Sequence, residues 1–207
     1  MVPIVINDLK KQIDFPLKKF LDKSLGEKKF NLGLDLGCGN GRSAFTFMDK
    51  VKLFYCLDIN QNLLKEFKKN PYFNHKKFIL QCFDGKKIPF PDNFFDFVSM
   101  ITVYEHLKEP AILLKEVFRV LKKEGYFLIQ NDTLSYHFLS KIKMIKCQDP
   151  THINMKTPNF LEKQLRATGW RILKKAYFPF YRWGRVFEKI FPSFLATKGT
   201  FLCKKIC

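Results

Sequence analysis

Short, nearly continuous apolar runs recur along the chain of 207 residues. Runs of this length without strict alternation are typical of strands buried on both faces of a sheet. They predict five strands, at 30–36, 51–57, 78–83, 94–101 and 126–130, and two further strands at 170–177 and 200–204.

Segments with apolar residues at helical spacing separate these strands. Residues 7–26 form a predicted helical cap, which Pro16 is expected to break into two pieces. A second helix is predicted after the turn at 37–41, and a third spans 61–69 with Asn60 as its N-cap. A fourth runs from Pro110 to a stop at Gly125, and a fifth lies around 134–145. The last begins at Pro158, after Thr157 as N-cap, and ends at Gly169. Strands and helices alternating at this interval predict an α/β fold with a parallel sheet covered on both faces.

The strongest chemical signal is the stretch LDLGCGNG at 34–41, where the first strand passes into a helix. Glycine at such a turn lets the backbone N–H groups come close to a ligand. Gly41 follows Gly39 by two positions, whereas a dinucleotide-binding turn has its third glycine three positions after the second. Asp35 would also repel a pyrophosphate, but it suits a ligand with ammonium and sulfonium charges. The turn therefore argues against NAD, and a tight turn without a ligand is the alternative.

Acidic residues stand at the ends of three successive predicted strands: Asp35, Asp58 and Asp84. Ligands of open α/β sheets bind at the carboxyl ends of the strands. A carboxylate at Asp58 can accept hydrogen bonds from ribose hydroxyls, and one at Asp84 can bind an adenine amino group. Each acid taken singly is equally well explained as a helix cap or a turn residue, so the inference depends on all three.

LDLGCGNG, Asp58, Cys82-Phe83-Asp84, FDFVSMITVYEHL and RVLKKEGYFLI resemble the successive motifs of class I S-adenosylmethionine-dependent methyltransferases, over residues 30–130. The resemblance is strongest to the type 11 subgroup, which acts on small molecules, quinones and lipid- or glycan-linked substrates. It implies a Rossmann-like, seven-stranded, mostly parallel sheet with helices on both faces and a reversed C-terminal hairpin. Glu124-Gly125 depart from the pattern, which often has two glycines there.

The resemblance also implies that S-adenosylmethionine is the cofactor and S-adenosylhomocysteine the product. The implied cofactor residues are Gly37, Cys38 and Gly39 along the methionine part, with Asp35 before them; Asp58 and Ile59 at the ribose; Phe83 and Asp84 at the adenine; and Ile101 beside the sulfonium. Residues 1–207 then form one methyltransferase domain, with a helical cap at 1–29, a cofactor-binding core at 30–131, and substrate-side segments with the last strands at 132–207.

A sulfonium is already a good leaving group, so holding the reactants in line can supply up to ~7–11 kcal/mol. A general base is needed only where the acceptor must lose a proton. His106 and His152 are the leading candidates, ahead of Asp149 and Glu105, because the pKa of histidine lies near working pH. A surface or capping role is an equal alternative for either histidine. Glu105-His106 resembles a pair in metal-assisted quinone O-methyltransferases, yet no third ligand is evident and no metal is predicted.

The formal charge of +18 is spread along the chain and indicates first a solvated, lysine-rich surface. An anionic partner is the alternative: nucleic acid, acidic lipid or a phosphorylated substrate. Aromatic residues interleave with basic ones at 177–195, either as a roof over the core or as an apolar substrate wall with peripheral membrane contact.

The cellular compartment is predicted from three features that the sequence does not show. The six cysteines are scattered without paired metal-ligand spacing, which predicts reduced thiols. No apolar run approaches the roughly 20 residues of a membrane span, and the N-terminus has no apolar signal-peptide core. We therefore expect a cytoplasmic protein.

Methyl transfer to a small-molecule or lipid- or glycan-linked acceptor is the leading hypothesis for function. An RNA methyltransferase is favoured by the charge but would lack an evident N/D-P-P-Y/F motif. A non-catalytic cofactor-binding protein of the same fold is the third reading. Residues 133–155 and 177–196 depart from the strand-helix alternation and are predicted to form a substrate lid. The oligomeric state stays open.

Overall fold

The computed structural model describes residues 13–135, 151–178 and 196–206. Strands and helices alternate along most of this chain, as the apolar pattern predicts. The elements are α1 (Phe15–Leu25), β1 (Phe30–Leu36), α2 (Arg42–Phe47), β2 (Val51–Asp58), α3 (Gln61–Lys69), β3 (Phe78–Cys82), β4 (Phe95–Ile101), a 3₁₀ turn (Tyr104–His106), α4 (Pro110–Val120), β5 (Leu121–Asp132), α5 (Pro158–Ala167), β6 (Trp170–Phe178) and β7 (Lys198–Lys205).

Seven strands form one sheet in the order β3-β2-β1-β4-β5-β7-β6. β1 to β5 pair in parallel, and β7 lies antiparallel to both β5 and β6. The predicted Rossmann-like sheet with a reversed last hairpin is therefore confirmed. The strand order reverses between β1 and β4, and a crevice at the carboxyl ends of the strands is the usual ligand position at such a point.

The sheet is buried on both faces, which is why its strands read as continuous apolar runs. One core cluster contains buried side chains of α4 and α5, including Leu113 and Leu161. The other contains those of α1, α2 and α3, including Leu17, Phe45 and Phe67. Among the described residues, no helix is long and apolar enough to cross a membrane.

The helix starts follow local capping chemistry. Asn60 and Thr157 accept hydrogen bonds from backbone N–H groups in the first turns of α3 and α5, as predicted. Pro16 lies in the first turn of α1, and Asp14 caps that helix, so a helix begins at the predicted break. Proline fits the first turn because its missing N–H has no helical partner there. Residues 7–12 and most of the predicted helix at 134–145 lie outside the described residues.

The predicted helix stop at Gly125 is also wrong. α4 ends at Val120, and β5 begins at Leu121. The pairing of β4 with β5 then shifts, because Phe95 is opposite Leu121 whereas Phe97 is opposite Tyr126. Residues 122–125 form this irregularity, and Glu124 has a φ of +64°. The left-handed backbone there gives a physical reason for the glycine that the family often has at this point.

Glu124→Gly should raise the Tm by about 2–4 °C, because a left-handed backbone is costly for a residue with a Cβ. Glu124 is exposed and pairs with Lys204, and exposed ion pairs contribute little. Glu124→Gln is the matched control, since it keeps the side chain at the same φ and removes the charge. Thermal melts that rank Glu124→Gly below Glu124→Gln would contradict the strain argument.

Candidate functional site

Two of the three predicted acids lie on neighbouring strands at the carboxyl edge of the sheet, and the third follows the next strand. Asp35 is opposite Cys56 in the β1–β2 pairing, and Asp58 ends β2 opposite Cys82. Asp84 follows β3 by two residues. The order β3-β2-β1 therefore brings together the region that the sequence marked as a ligand site, next to the reversal of strand order.

The glycine turn donates its N–H groups to the protein itself. The N–H groups of Gly37 and Cys38 donate to the carbonyl of Leu57, at 2.7 and 3.0 Å. Gly39 N–H donates to Asp58 Oδ2 at 2.7 Å, and Gly41 N–H to the Cys38 carbonyl at 2.9 Å. We expected N–H groups of the turn to be available to a ligand, but these four already have partners within the protein. A pyrophosphate would find none of them available, which strengthens the argument against NAD.

Close packing, rather than a ligand, explains two of the glycines. A Cβ on Gly37 would lie 2.3 Å from Val103 Cγ2, and one on Gly41 would lie 2.5 Å from the Phe67 ring. Gly39 differs, since its nearest such neighbour is Leu63 Cδ1 at 4.0 Å. Gly39 thus faces open space, where a ligand can approach the backbone.

Asp35 is a fully buried carboxylate. The Ser43 hydroxyl donates to its Oδ2 at 2.6 Å, and the Ser99 hydroxyl donates to its Oδ1 at 2.7 Å. Burial raises the pKa of Asp35 from 3.8 to about 6, against the lowering effect of the serine hydroxyls. Because the side chain is enclosed, a ligand cannot contact this carboxylate directly.

Asp58 holds the glycine turn as well as the edge of the sheet. Its Oδ2 accepts from Gly39 N–H, and its Oδ1 accepts from Asn60 N–H at 2.8 Å. Next to it, Ile59 is 66% exposed, a large apolar side chain on the rim of the site. Both carboxylate oxygens already have a backbone partner, so a ligand hydroxyl would share them through their remaining lone pairs.

The other predicted cofactor residues are less enclosed. Phe83 is half-buried against the core, and its N–H donates to the Asp58 carbonyl at 3.2 Å. Asp84 is exposed, and its Oδ1 accepts from the N–H groups of Lys86 and Lys87, which lowers its pKa. Asp84 therefore stabilises its own turn. Ile101 ends β4 and is half-buried.

The two predicted histidines lie side by side, although 45 residues separate them in the sequence. The ring centroids of His106 and His152 are 4.6 Å apart in an edge-to-face arrangement. His106 Nδ1 and Thr151 Oγ1 are hydrogen-bonded at 2.8 Å. The N–H groups of Ile153 and Asn154 donate to the Glu105 carbonyl at 3.0 and 2.9 Å, which holds this segment in place.

Glu105, which the sequence analysis placed behind the two histidines, has an unusual environment in the structure. Its side chain is fully buried, and its Oε1 accepts from Asp132 N–H at 3.0 Å. Within the described residues, its Oε2 has no hydrogen-bond partner. Burial, followed by the charge of Asp132, raises the pKa of Glu105 from 4.5 to about 8. Glu105, His106 and His152 have ligand-type atoms within 4.8 Å of one another, so a third candidate ligand does exist. No pattern in the sequence predicts that His152 lies close to Glu105 and His106.

The chain between β4 and the histidine pair is strained and closely packed on the glycine turn. Thr102 has a φ of +53°, a rare value for a β-branched residue, and its N–H donates to the Gln130 carbonyl at 2.8 Å. Val103 then packs over Gly37. Backbone strain of this kind is found mostly at functional sites.

Comparison with known proteins agrees with this geometry. Residues 34–129 match a family model described as a methyltransferase domain. An uncharacterized methyltransferase of Bacillus subtilis, YcgJ, is 26% identical over 128 residues, which are 58% of this chain and 49% of YcgJ. A ubiquinone/menaquinone biosynthesis C-methyltransferase of Rickettsia bellii, UbiE, is 30% identical over 105 residues, 46% of this chain and 42% of that protein. The chain spans about half the length of the curated relatives it matches.

Solved structures extend the likeness over nearly the whole chain. Bacillus subtilis YcgJ aligns with a TM-score of 0.68 and 15% identity, over 93% of this chain and 99% of that one. A chain from a Haloferax volcanii complex of the Trm112 methyltransferase activator with a methyltransferase aligns with a TM-score of 0.69 and 13% identity, over 99% and 100%. The chain therefore shares the fold of these methyltransferase structures. Residues 34–129, less than half of the chain, are similar to a methyltransferase domain.

Asp35→Asn should remove a pH dependence of stability in the ligand-free protein. The pKa of Asp35 is higher in the folded chain, so folding takes up a proton, and wild-type stability should fall as the pH rises from about 4 to about 6. We expect Asp35→Asn to match the wild type near pH 4 and to exceed it at pH 7 by up to about 3 kcal/mol. Urea unfolding at several pH values measures this.

Asp96→Asn is the matched control. Asp96, on β4, accepts from the N–H groups of Asn31 and Leu32, and although burial opposes its charge, the Lys122 ammonium and these bonds lower its pKa. Its substitution should therefore destabilise the protein at neutral pH, and less so in acid. If both variants lose stability at pH 7 by similar amounts, the unfavourable charge assigned to Asp35 is wrong.

Proposed function

We propose that this chain binds S-adenosylmethionine and transfers its methyl group to a small-molecule or lipid- or glycan-linked acceptor. The observation that carries the proposal is the glycine turn, whose N–H groups are bonded internally and which lies between the acids Asp35 and Asp58. Such a site favours a cationic ligand over a phosphate. S-adenosylmethionine carries an ammonium and a sulfonium and has no phosphate.

The types of residue in this region suit the successive parts of S-adenosylmethionine. Gly39 has open space on its Cα, so the turn Gly37, Cys38 and Gly39 can lie along the methionine part. Asp58 would bind the ribose hydroxyls, and the exposed side chain of Ile59 offers an apolar surface beside it. Phe83 and Asp84 would contact the adenine, and Ile101 would lie near the sulfonium. When bound, the cofactor supplies an activated methyl group.

The acceptor side would be formed by the histidine pair. His152, held against His106, would take a proton from an acceptor whose nucleophilic atom is protonated, and it would orient an acceptor that needs no base. Most of the predicted lid, 136–150 and 179–195, lies outside the described residues. The preference for an apolar or lipid-linked acceptor depends on the aromatic content of 177–195, as does the proposed peripheral contact with membranes. The proposed cytoplasmic location is supported instead by the scattered cysteines.

An RNA acceptor is the second candidate, since the net charge of +18 favours polyanions. The structurally similar chain from Haloferax volcanii was solved in complex with the Trm112 activator, which is a reason to test acceptors other than small molecules. A protein that binds the cofactor without turnover is the third candidate.

Calorimetry should show binding of S-adenosylhomocysteine and no comparable binding of NAD. Asp58→Asn should weaken S-adenosylhomocysteine binding by roughly 10-fold to over 100-fold, because a charged acceptor of ribose hydrogen bonds typically contributes ~1.5–3 kcal/mol. Asp58→Ala should be worse, since it also removes the acceptors of the Gly39 and Asn60 N–H groups.

Asp96→Asn serves again as the control, because Asp96 also accepts two backbone N–H groups but lies away from the glycine turn. It should leave S-adenosylhomocysteine affinity unchanged. Tighter binding of NAD than of S-adenosylhomocysteine would exclude the proposed cofactor. Equal affinities of folded Asp58→Asn and wild type would exclude Asp58 from the site.

His152→Ala should reduce turnover by about 10²–10⁴-fold if His152 is a general base, with the affinity for S-adenosylhomocysteine nearly unchanged. The acceptor is found first by incubating the protein with labelled cofactor and fractionated cell extract. His75→Ala is the control, because His75 is exposed in the turn before β3. A fall of only a few-fold would make His152 a positioning residue.

RNA and liposome binding, measured at two salt concentrations, separates the two acceptor classes. Counterion release makes RNA binding fall steeply with salt. Label in lipid or small metabolites together with liposome association supports the leading proposal. Tight, salt-sensitive RNA binding without liposome association would favour the RNA acceptor instead.

A further inference from the structure

Two histidines and one buried glutamate converge on the acceptor side, from two segments of the chain. Glu105 and His106 lie in the 3₁₀ turn after β4, and His152 lies six residues before α5. One ligand-type atom from each lies within 4.8 Å of the others. We propose that Glu105, His106 and His152 form a binding site for one divalent transition-metal ion of the Zn²⁺ type.

Backbone hydrogen bonds hold the three residues together without help from an ion. The Glu105 carbonyl accepts from the N–H groups of Ile153 and Asn154, so the residue that supplies the carboxylate also fixes the segment that carries His152. His106 N–H in turn donates to the Val103 carbonyl at 3.0 Å. The arrangement is therefore largely formed before any ion binds, which reduces the ordering that binding requires.

The polar atoms around the three side chains are arranged as ligands need. Metal-binding histidines usually hydrogen-bond through the ring nitrogen that does not bind the ion, and His106 Nδ1 is bonded to Thr151 Oγ1. Glu105 Oε1 accepts from Asp132 N–H, which orients the carboxylate. Glu105 Oε2 is buried and has no hydrogen-bond partner in the described part of the chain. A buried acceptor of this kind is costly unless something binds it, and a cation would do so.

The donor set selects the class of ion. Two imidazoles with one carboxylate suit Zn²⁺ and similar transition metals, whereas Mg²⁺ prefers oxygen ligands and keeps several waters. Zn²⁺ bonds of roughly 2.0–2.2 Å place neighbouring ligand atoms about 3.3 Å apart, so the group must contract. The rings of His106 and His152 are only half-buried and can turn to do this.

Three protein ligands leave a fourth position for water or an acceptor oxygen, whose pKa the ion would lower. That consequence depends on the proposed methyl transfer, whereas the binding of the ion does not. With an ion bound, His106 and His152 would be ligands and not bases. The ion would lower the pKa of a bound acceptor hydroxyl, which would release its proton to solvent water.

The test is metal binding to the full chain after chelator treatment and desalting, in the absence of cofactor. Calorimetry with Zn²⁺ should give one site per chain, and Co²⁺ should give the visible absorption of a site with nitrogen and oxygen ligands. His106→Ala, His152→Ala and Glu105→Gln should each weaken Zn²⁺ binding by about 100-fold or more. Mg²⁺ should bind far more weakly than Zn²⁺.

His75→Ala is the matched control for binding to an exposed histidine, and it should keep the wild-type Zn²⁺ affinity. Circular dichroism without metal identifies any variant that fails to fold, and either histidine variant suffices if Glu105→Gln does not fold. Zn²⁺ affinity that is unchanged in folded His106→Ala and His152→Ala, or absent from the wild type, would overturn the site. S-adenosylhomocysteine binding, measured on the same samples, tests the proposed function separately.

Discussion

The glycine turn, where we propose that the cofactor binds, depends on a buried carboxylate. Asp35 is the second-last residue of β1 and accepts hydroxyl hydrogen bonds from Ser43 on α2 and Ser99 on β4, so one side chain joins two strands and the helix after the glycine turn. Hydrogen bonds from these hydroxyls and from the backbone favour its charge, but burial outweighs them. A cationic ligand close to the turn would offset this unfavourable charge.

Most of the fold could be predicted because its signals are local. The apolar runs identify all seven strands, and Asn60 and Thr157 identify two helix starts through their own side-chain hydrogen bonds. The prediction fails where one residue type serves two purposes. Glycine both ends helices and permits irregular strands, and at Gly125 the packing of β5 on β4 decides for the strand.

Only the part of the site that follows from sheet topology could be predicted from the sequence. Acids at the ends of successive parallel strands must share an edge, so the neighbourhood of Asp35, Asp58 and Asp84 followed from the strand order. How Asp58 is used did not follow, because its bonds to Gly39 and Asn60 are visible only in three dimensions. The contact of His106 with His152 depends on backbone bonds to Glu105 from a distant segment, and no spacing in the sequence encodes these bonds.

The two sides of the site are joined by very few residues. The chain leaves β4 through the left-handed Thr102, packs Val103 over Gly37, and reaches Glu105 and His106 one turn later. Since Gly37 has no room for a Cβ against Val103, the backbone of the glycine turn and the segment bearing His106 lie in direct contact. Their separation is thus fixed by packing, which transmits a shift on one side to the other. Differences in acceptor among proteins with this fold are then more easily made in the segments around the site than in this link.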